Sequence, residues 1–410
     1  MCASHRFPLS SGPYLTENGL MQTSTDRILT THTGSLPRPD GLLEKLLAIG
    51  LGADPASLDF NAACAGAVRD VVAKQVETGI DIVSDGEMSK PGYTYYVRDR
   101  MSGLEAFEEP PEGMPRRALQ RDIAEFPDFA AAREIERSHG AKLVPTFCTG
   151  PVAYENLQPV ADDIANLKEA IATTHPAEAF INAASPGVIP VFILDTHYGD
   201  EDSYLADLAD GLAVEYEAIH ASGLLLQIDC PDLAMARHGH YQGLSDTNFR
   251  RVVARNIELL NAATANIPPE AMRMHICWGN YPGPHVYDFP VAELIEPLMK
   301  ARPQALLFEA ANPRHEHEWA DWHDADIPDD KILVPGVIDT SSNFVEHPRI
   351  VAERIQRFAG IVGRERVIAG TDCGFATFAG MGYVYESIAW AKLRALVVGA
   401  EMASDALWGD

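Results

Sequence analysis

The chain has 410 residues, of which 46% are hydrophobic and 22% are charged, and its formal net charge is −27. This composition is typical of a globular protein with a large core, and the negative charge opposes binding to nucleic acid or to anionic membranes. The sequence has no apolar run of about 18 residues and no signal-peptide pattern, and its cysteines are too scattered for a disulfide framework. We therefore expect a cytoplasmic protein that binds neither nucleic acid nor a membrane.

The first predicted element is a tail. Residues 1–26 show no hydrophobic periodicity and contain several turn formers, so we predict a flexible N-terminal segment. From residue 27 onward, short β-rich runs alternate with helical patterns that often end in glycine. The predicted strands are 28–34, 79–85, 143–149, 189–194, 223–229, 272–277, 304–309, 332–338 and 367–372.

Strands that alternate with helices in this way form βαβ units and a parallel sheet. Eight or nine units favour an α/β fold of the (β/α)8 TIM-barrel type with insertions, spanning residues 27–410 as a single catalytic domain. We assign one strand, 189–194, to an insertion. An open doubly wound sheet is the alternative, although no G-x-G-x-x-G follows the first strand. The segment 104–124, rich in Pro and Glu, is typical of either a lid over the barrel mouth or a solvated loop.

Polar side chains follow the predicted strands, at the edge where β/α barrels carry their active sites. These strand ends are "THTGS" with His32, Gly34 and Ser35, "SDGE" with Asp85 and Glu87, "QIDCPD" with Gln227 and Asp229, "HIC" with His275 and Cys277, "LFEAANPR" with Glu309 and Arg314, "PGVID" with Asp339, and "AGTDCG" with Asp372 and Cys373. Because these edges meet at one end of a barrel, the motifs are expected to converge.

Four of these side chains fit a zinc site. In a strand, residues two apart point to the same side, so His275 and Cys277 present an imidazole and a thiol together. That pair alone is more often core packing. Cys373, flanked by polar residues and glycine, and Glu309 supply two further donors, and the soft ligands select zinc over magnesium or calcium. Cys64, by contrast, lies in a helical pattern and is interpreted as a packing residue.

The sequence resembles the catalytic barrel of cobalamin-independent methionine synthase. The segments "TTHTGSLPRP", "VSDGE", "TGPV", "QID", "HIC", "FE", "PGVID" and "GTDCG" occur in that family's order between about residues 27 and 400. The likeness is to the short, single-barrel branch, which also includes epoxyalkane:coenzyme M transferase. It implies that His275, Cys277, Glu309 and Cys373 are zinc ligands.

The resemblance also implies a binding site for the amino-acid end of homocysteine, formed by Thr33, Gly34, Ser35, Glu87 and Asp229. We take Asp229, Glu87 and His32 as the catalytic candidates. The other histidines considered as the acid are His238, His240, His315 and His317.

The implied function is a zinc-dependent transfer of a methyl or alkyl group onto a thiol, most simply homocysteine. The expected partners are a small-molecule thiol and an alkyl donor, and the sequence is compatible with a homo-oligomer. One alternative is epoxide opening by a sulfonated thiol, which needs a cation such as Arg38, Lys90 or Arg314 near the metal. The other alternative is a non-catalytic structural zinc protein.

Three positions depart from the family pattern. Leu157 stands near the position of the family's folate-stacking tryptophan, Met235 replaces a carboxylate that contacts the pterin, and Ser341 replaces a histidine proposed as the proton donor. Recognition of a pterin needs an aromatic face and a placed carboxylate. We therefore expect methyl-tetrahydrofolate to be a poor donor, unless Tyr154 takes over the stacking role.

Overall fold

The computed structural model describes residues 20–50, 53, 55–110, 112–114, 121–138 and 144–409. Its strands are β1 (Leu29–Thr30), β2 (Ile82–Ser84), β3 (Leu104–Ala106), β4 (Thr146–Cys148), β5 (Glu178–Ala184), β6 (Leu194–Asp195), β7 (Leu225–Asp229), β8 (Met272–His275), β9 (Ala305–Glu309), β10 (Ile332–Gly336) and β11 (Ile368–Ala369). Its α-helices are α1 (Asp40–Gly50), α2 (Phe60–Thr78), α3 (Arg121–Glu125), α4 (Pro127–Ser138), α5 (Gln158–Thr174), α6 (Ile189–Phe192), α7 (Glu201–Ala221), α8 (Asp246–Ala263), α9 (Ile295–Met299), α10 (Trp319–His323), α11 (Pro348–Val362) and α12 (Glu386–Trp408).

Eight parallel strands close into a barrel. Strands β2, β5, β7, β8, β9 and β10 form one sheet in that order, and β1 pairs with β11 in a second. Parallel bridges from Thr31 to Ile82 and from Gly336 to Gly370 join the two sheets on both sides. The predicted (β/α)8 barrel is therefore confirmed.

The strand assignments contain two errors and one omission. The run 143–149 is not a barrel strand, because its strand β4 pairs with β3 and β6 in a separate three-stranded sheet. The run 189–194, assigned to an insertion, does lie outside the barrel sheets, but α6 occupies most of it and only Leu194 belongs to a strand, β6. Ser185 starts this helical region, because its hydroxyl accepts a hydrogen bond from the Val188 amide at 3.2 Å. The third barrel strand is β5, which was not predicted because Glu178 and Asn182 interrupt its apolar pattern although the whole strand is buried.

Local signals place the ends of the long helices. The side chain of Asp200 accepts from the Ser203 amide at the start of α7, and Ser245 does the same for Asn248 at the start of α8. Helix α2 ends at Gly79, whose φ of 100° is in the left-handed region that glycine adopts without strain. No helix in the described ranges is long and apolar enough to cross a membrane.

The apolar core has two parts. The larger part lies between the barrel wall and the surrounding helices. The smaller part fills the barrel near the N-terminal ends of its strands, with Leu29, Ile82 and Phe180 among its members. Met21 belongs to this inner cluster, and its amide donates to the Glu270 carbonyl at 2.8 Å.

The end of the predicted tail is thus packed against the barrel. Ser24 is fully buried and donates to the Val367 carbonyl at 2.6 Å, next to β11. Residues 20–26 therefore differ from the prediction for the tail, because an apolar side chain and buried hydrogen bonds hold them. Residues 1–19 lie outside the described part of the chain.

Candidate active site

Three predicted metal ligands meet at the C-terminal mouth of the barrel. The ligand atoms of His275, Cys277 and Cys373 all lie within 4.8 Å of one another, and all three residues are buried. His275 ends β8, Cys277 follows two residues later, and Cys373 lies in the loop after β11. The two sulfur atoms are 3.6 Å apart.

The donor group fits a zinc ion. Two thiolates at Zn–S bonds near 2.3 Å in a tetrahedral site are about 3.8 Å apart, close to the sulfur separation found here. Both ring nitrogens of His275 are buried without a hydrogen-bond partner, which is costly for a polar group that binds nothing. Burial, and then the charge of Arg273, lower the pKa of His275 to about 3, so the ring is neutral and able to ligate.

The pKa of the Cys277 thiol depends on its contact with Cys373. Its contact with Cys373 raises the pKa of Cys277, and burial raises it further. The Gly279 amide donates to the Cys277 sulfur at 3.3 Å, which lowers this pKa by stabilising the thiolate. A bound cation would reverse the balance, because coordination removes the thiol proton.

Glu309, the fourth predicted ligand, is not part of this three-residue group. It ends β9 and is buried, but its Oε1 accepts from the Trp278 amide and its Oε2 from the Asn312 side chain, both at 2.8 Å. The charge of Glu309 contributes to the raised pKa of Cys277, so the carboxylate is electrostatically coupled to the cluster. Its role as a ligand remains a prediction.

A buried network of histidines and carboxylates adjoins Glu309. His315 Nε2 lies 4.0 Å from Glu309 Oε2 and 2.9 Å from Asp288 Oδ2, while its Nδ1 lies 2.8 Å from Glu318. Burial lowers the pKa of His315, but the hydrogen bonds to Asp288 and Glu318 outweigh it and raise this pKa to about 10. His285 Nδ1 lies 3.0 Å from the same Asp288 oxygen, Oδ2, and 3.2 Å from Oδ1. The network therefore places an imidazolium beside Glu309.

The segment predicted as a lid or solvated loop contributes to this network. Asp122 on α3 accepts hydrogen bonds from the Tyr281 hydroxyl and, at 3.1 Å, from the His285 amide. Burial raises the pKa of Asp122, but the nearby His238 ring, whose Nδ1 lies 3.7 Å away, and the hydrogen bond from Tyr281 outweigh it and hold this pKa well below the usual range. Part of 104–124 falls outside the described residues, and the part around Asp122 contacts the loop after β8.

Two carboxylates, Glu87 and Asp229, lie near each other at the mouth, and Asp229 is paired in register with His275 on the neighbouring strand. Asp229 ends β7 and accepts from Gln227 at 2.9 Å and Asn182 at 3.0 Å. Glu87 is 3% exposed, its φ is 57°, and its Oε2 has no hydrogen-bond partner. Burial raises the pKa of Glu87 to about 7 and that of Asp229 to about 6, although the Lys90 charge opposes both shifts. Glu87 and Asp229 thus form an acidic pocket, in which Glu87 Oε2 is a hydrogen-bond acceptor without a donor.

The turn with Thr33, Gly34 and Ser35 lies between these two groups. Thr33 bonds to the loop after β11, because its amide donates to Thr371 Oγ1 at 3.1 Å and its hydroxyl to the Thr371 carbonyl at 2.9 Å. Gly34 is required by close packing, since a Cβ there would lie 2.5 Å from the Asn182 side chain. A Cβ on Gly374 would lie 2.0 Å from the Ser35 hydroxyl, so the turn directly adjoins the Cys373 loop.

The predicted acid candidates occupy different places. His32 Nε2 lies 2.7 Å from Gln75 on α2, and burial lowers its pKa to about 4, which favours a structural role in the barrel wall. His240 lies 3.3 Å from Glu201, and His317 is exposed. Only His238 and His315 join the network beside Glu309.

The departures from the family pattern are also located. Leu157 is 41% exposed, and the Tyr154 hydroxyl donates to Glu215 at 2.6 Å. Met235 is buried, and its amide donates to the Cys277 carbonyl at 3.1 Å, so an apolar side chain stands beside the cluster. Ser341 donates to Asp339 at 2.7 Å.

Sequence reasoning missed His285, Asp288 and Asp122. The sequence signal for His285 is its place in "GNYPGPHVYD", directly after a segment rich in Pro and Gly, and the structure gives this histidine a φ of 51°. A residue held in the left-handed region without being glycine often marks a functional site. Asp122 gives no such signal, because its partners lie 159 and 163 residues away.

The comparisons with known proteins agree with this architecture. No protein-family model matches the chain. A protein named methionine synthase from Thermococcus kodakarensis is 24% identical over 374 residues, which cover 91% of this chain and 92% of that protein. A protein named 2-hydroxypropyl-CoM lyase from Xanthobacter autotrophicus is 27% identical over 173 residues, or 36% of this chain and 44% of the lyase.

A solved structure shares the fold over nearly the whole length. A B12-independent methionine synthase from Shewanella sp. W3-18-1, in complex with selenomethionine, matches with a TM-score of 0.64 at 18% identity. The match covers 93% of this chain and 99% of that chain. The resemblance that the sequence motifs indicate is therefore confirmed, both by relatives of that name and by a shared fold.

Proposed function

We propose that this homologue of methionine synthases is a zinc-dependent transferase that moves a methyl or alkyl group onto a thiol, with homocysteine as the acceptor. The observation that carries the proposal is the buried group of His275, Cys277 and Cys373, in which the histidine has two unpartnered nitrogens. An unpaired buried imidazole beside two thiols is explained by a soft metal ion.

The metal would be held by His275, Cys277 and Cys373, and the resemblance proposes Glu309 as the fourth donor. A bound zinc ion deprotonates a coordinated thiol and keeps it nucleophilic at neutral pH. The protein's own contribution is to fix the donors on the rigid end of β8 and on the β11 loop, and to bury them from water. The imidazolium of His315 offsets the charge of Glu309 at 4.0 Å.

The acidic pocket would bind the ammonium group of the acceptor. Glu87 has a free acceptor oxygen and Asp229 is oriented by Asn182 and Gln227, so both carboxylates are ready to receive N–H donors. A sulfonated thiol would require a free cation instead. Both terminal nitrogens of Arg38 donate to carbonyls, those of Glu87, Lys90 and Ala376, and Lys90 donates to the Asn182 carbonyl. The third cation considered, Arg314, is exposed. These contacts favour an amino-acid thiol over epoxide opening by a sulfonated one.

The donor is proposed to be something other than methyl-tetrahydrofolate. Leu157 is at the surface, the Tyr154 hydroxyl is bonded to Glu215, and Met235 offers no carboxylate. A smaller electrophile or a methylated corrinoid would need neither a stacking face nor a pterin-binding acid. His32 is left out of the mechanism, because Gln75 holds its Nε2.

Metal analysis and zinc K-edge X-ray absorption of the purified protein test the proposal. We expect about one zinc per chain and one additional sulfur ligand when homocysteine is added. Less than about a tenth of an equivalent after zinc-supplemented expression would overturn it. Full zinc content with unchanged sulfur coordination for every thiol tested would instead identify a structural zinc protein.

Turnover assays with homocysteine then separate the donors. Methyl-tetrahydrofolate in mono- and polyglutamylated forms, a methylated corrinoid and a short epoxide are compared in parallel. Turnover of methyl-tetrahydrofolate at about 1 s⁻¹ or faster would contradict the proposed donor class but leave the thiol chemistry intact.

A further inference from the structure

Asn280 connects three loops at the barrel mouth. Its Nδ2 donates to the Gly374 carbonyl at 2.7 Å and to Thr377 Oγ1 at 3.3 Å. Its Oδ1 accepts from Thr340 Oγ1 at 3.0 Å. These partners lie in the loops after β11 and β10, while Asn280 itself lies in the loop after β8.

Asn280 lies only three residues after the predicted ligand Cys277. Gly279, whose amide donates to the Cys277 sulfur, has a φ of 109° and turns the chain sharply after the ligand. At the other end of the connection, Gly374 directly follows Cys373. One amide side chain thus bridges the segment of one cysteine to the segment of the other.

This bridge matters because the two cysteines belong to separate parts of the barrel. Strands β9 and β10 lie between β8 and β11 in the wall. The sulfur separation of 3.6 Å therefore depends on how two independent loops are held. An asparagine suits this task, because one end of its amide donates and the other accepts.

We propose that Asn280 is a positioning residue that holds Cys373 at ligating distance from Cys277. The inference rests on the proposed metal function and adds to it a residue that orients the ligands without binding the metal itself. Partners that orient metal ligands typically change metal affinity by about 10- to 100-fold when they are lost.

The test compares full-length wild-type protein with Asn280→Ala and Asn280→Asp. Zinc affinity is measured by competition with a chromophoric chelator, and the site geometry by the thiolate-to-cobalt charge-transfer absorption of the Co²⁺ form. Asn280→Ala is expected to lower zinc affinity at least about 10-fold and to weaken the cobalt band. Asn280→Asp is expected not to rescue it, because a carboxylate cannot donate to the Gly374 carbonyl.

Asn343 provides a matched control. It also connects the β10 loop to the β11 loop, since its Nδ2 donates to the Tyr383 carbonyl and its Oδ1 accepts from the Tyr385 amide. It is exposed, however, and its neighbour Phe344 is 84% exposed. Asn343→Ala should leave zinc affinity and the cobalt spectrum unchanged.

Thr340→Val keeps the test decisive if Asn280→Ala does not fold. It removes the donor to Asn280 Oδ1 with little change in shape, and a loss of about 3-fold or more in zinc affinity is expected. Wild-type affinity and spectrum in either folded variant would overturn the inference alone. A wild-type protein that binds no zinc would overturn the proposed function, and this inference with it.

Discussion

The two ends of the barrel are built from opposite kinds of side chain. At the N-terminal end, Met21, Leu29, Ile82 and Phe180 form a closed apolar cluster inside the strands. At the C-terminal end, the same strands present thiols, an imidazole and carboxylates, several of them without a partner. Packing alone satisfies the apolar side chains at the N-terminal end, whereas the unpartnered polar groups at the C-terminal end need a ligand.

This difference separates stability from function. Apolar side chains that fill space stabilise a fold in proportion to the area they bury. Buried donors and acceptors without partners cost stability unless a ligand satisfies them. Substitutions at the mouth are therefore expected to remove binding while sparing the fold, and substitutions at the closed end to do the reverse.

The largest effect is expected when both thiols are removed. Cys277→Ser with Cys373→Ser replaces the two soft donors with weak ones, so zinc affinity should fall by at least about 10³-fold. Chelator competition measures this loss, and Cys64→Ala, which removes a buried thiol on α2, serves as the control. Zinc retained by the double variant would show that the cluster is not the metal site.

A smaller loss is expected at the acidic pocket. Glu87→Gln with Asp229→Asn removes both negative charges facing the proposed ammonium, so the Kd for homocysteine should rise by about 100-fold. The cobalt charge-transfer band reports this binding. The Kd for 4-mercaptobutanoate, which has the same chain without an ammonium group, should stay within about 3-fold. Equal losses for both thiols would place the amino group elsewhere.

At the closed end the expected effect is on stability alone. Met21→Ala leaves a space in the inner apolar cluster and should lower the free energy of unfolding by about 2 kcal/mol, while zinc affinity stays unchanged. Denaturant titration measures the change. Met402→Ala, which truncates a methionine that is 37% exposed on α12, should have little effect. Equal destabilisation by the two variants would contradict the packing role of Met21.

The smallest expected effect is an increase in the free energy of unfolding, whereas most substitutions lower it. The pKa of Glu87 in the folded protein is raised to about 7 by burial, so its contribution to stability is complete at low pH and is lost as pH rises through 7. Glu87→Gln should therefore stabilise the protein at pH 8 by on the order of 1 kcal/mol, and not at pH 5. Thermal unfolding at the two pH values checks this. Destabilisation at pH 8 would mean that the charged carboxylate is satisfied within the protein.

The sequence predicted the parts of the site that lie next to strands. His275 ends one strand, Cys277 follows it two residues later and Cys373 follows another strand, so all three were expected at the same end of the barrel. The network around Asp288 could not be predicted in this way. It joins His285, His315 and Asp122, which come from loops and an excursion whose relative positions depend on tertiary packing.

The strand errors have a similar cause. The run 189–194 is apolar enough for a strand, but Pro190 and the Ser185 cap place it in a helical turn. Strand β5 has polar side chains that face the barrel interior, where Asn182 bonds to Asp229 and to the Thr33 carbonyl. Hydrophobic periodicity detects a strand by its apolar residues. It therefore fails to detect a strand such as β5, whose polar side chains contribute to a site.

The closure of the barrel also orders the events of biosynthesis. Thr33 is bonded to Thr371, 338 residues later, so the first strand acquires this partner only after most of the chain has been made. His275 and Cys277 leave the ribosome before Cys373, which is 96 residues beyond Cys277. At about 5 to 20 residues per second, the incomplete pair waits on the order of 5 to 20 s for its third donor. Under the proposed function, high-affinity metal loading would follow ring closure, and a captured ion would mark a polypeptide whose final strand has docked.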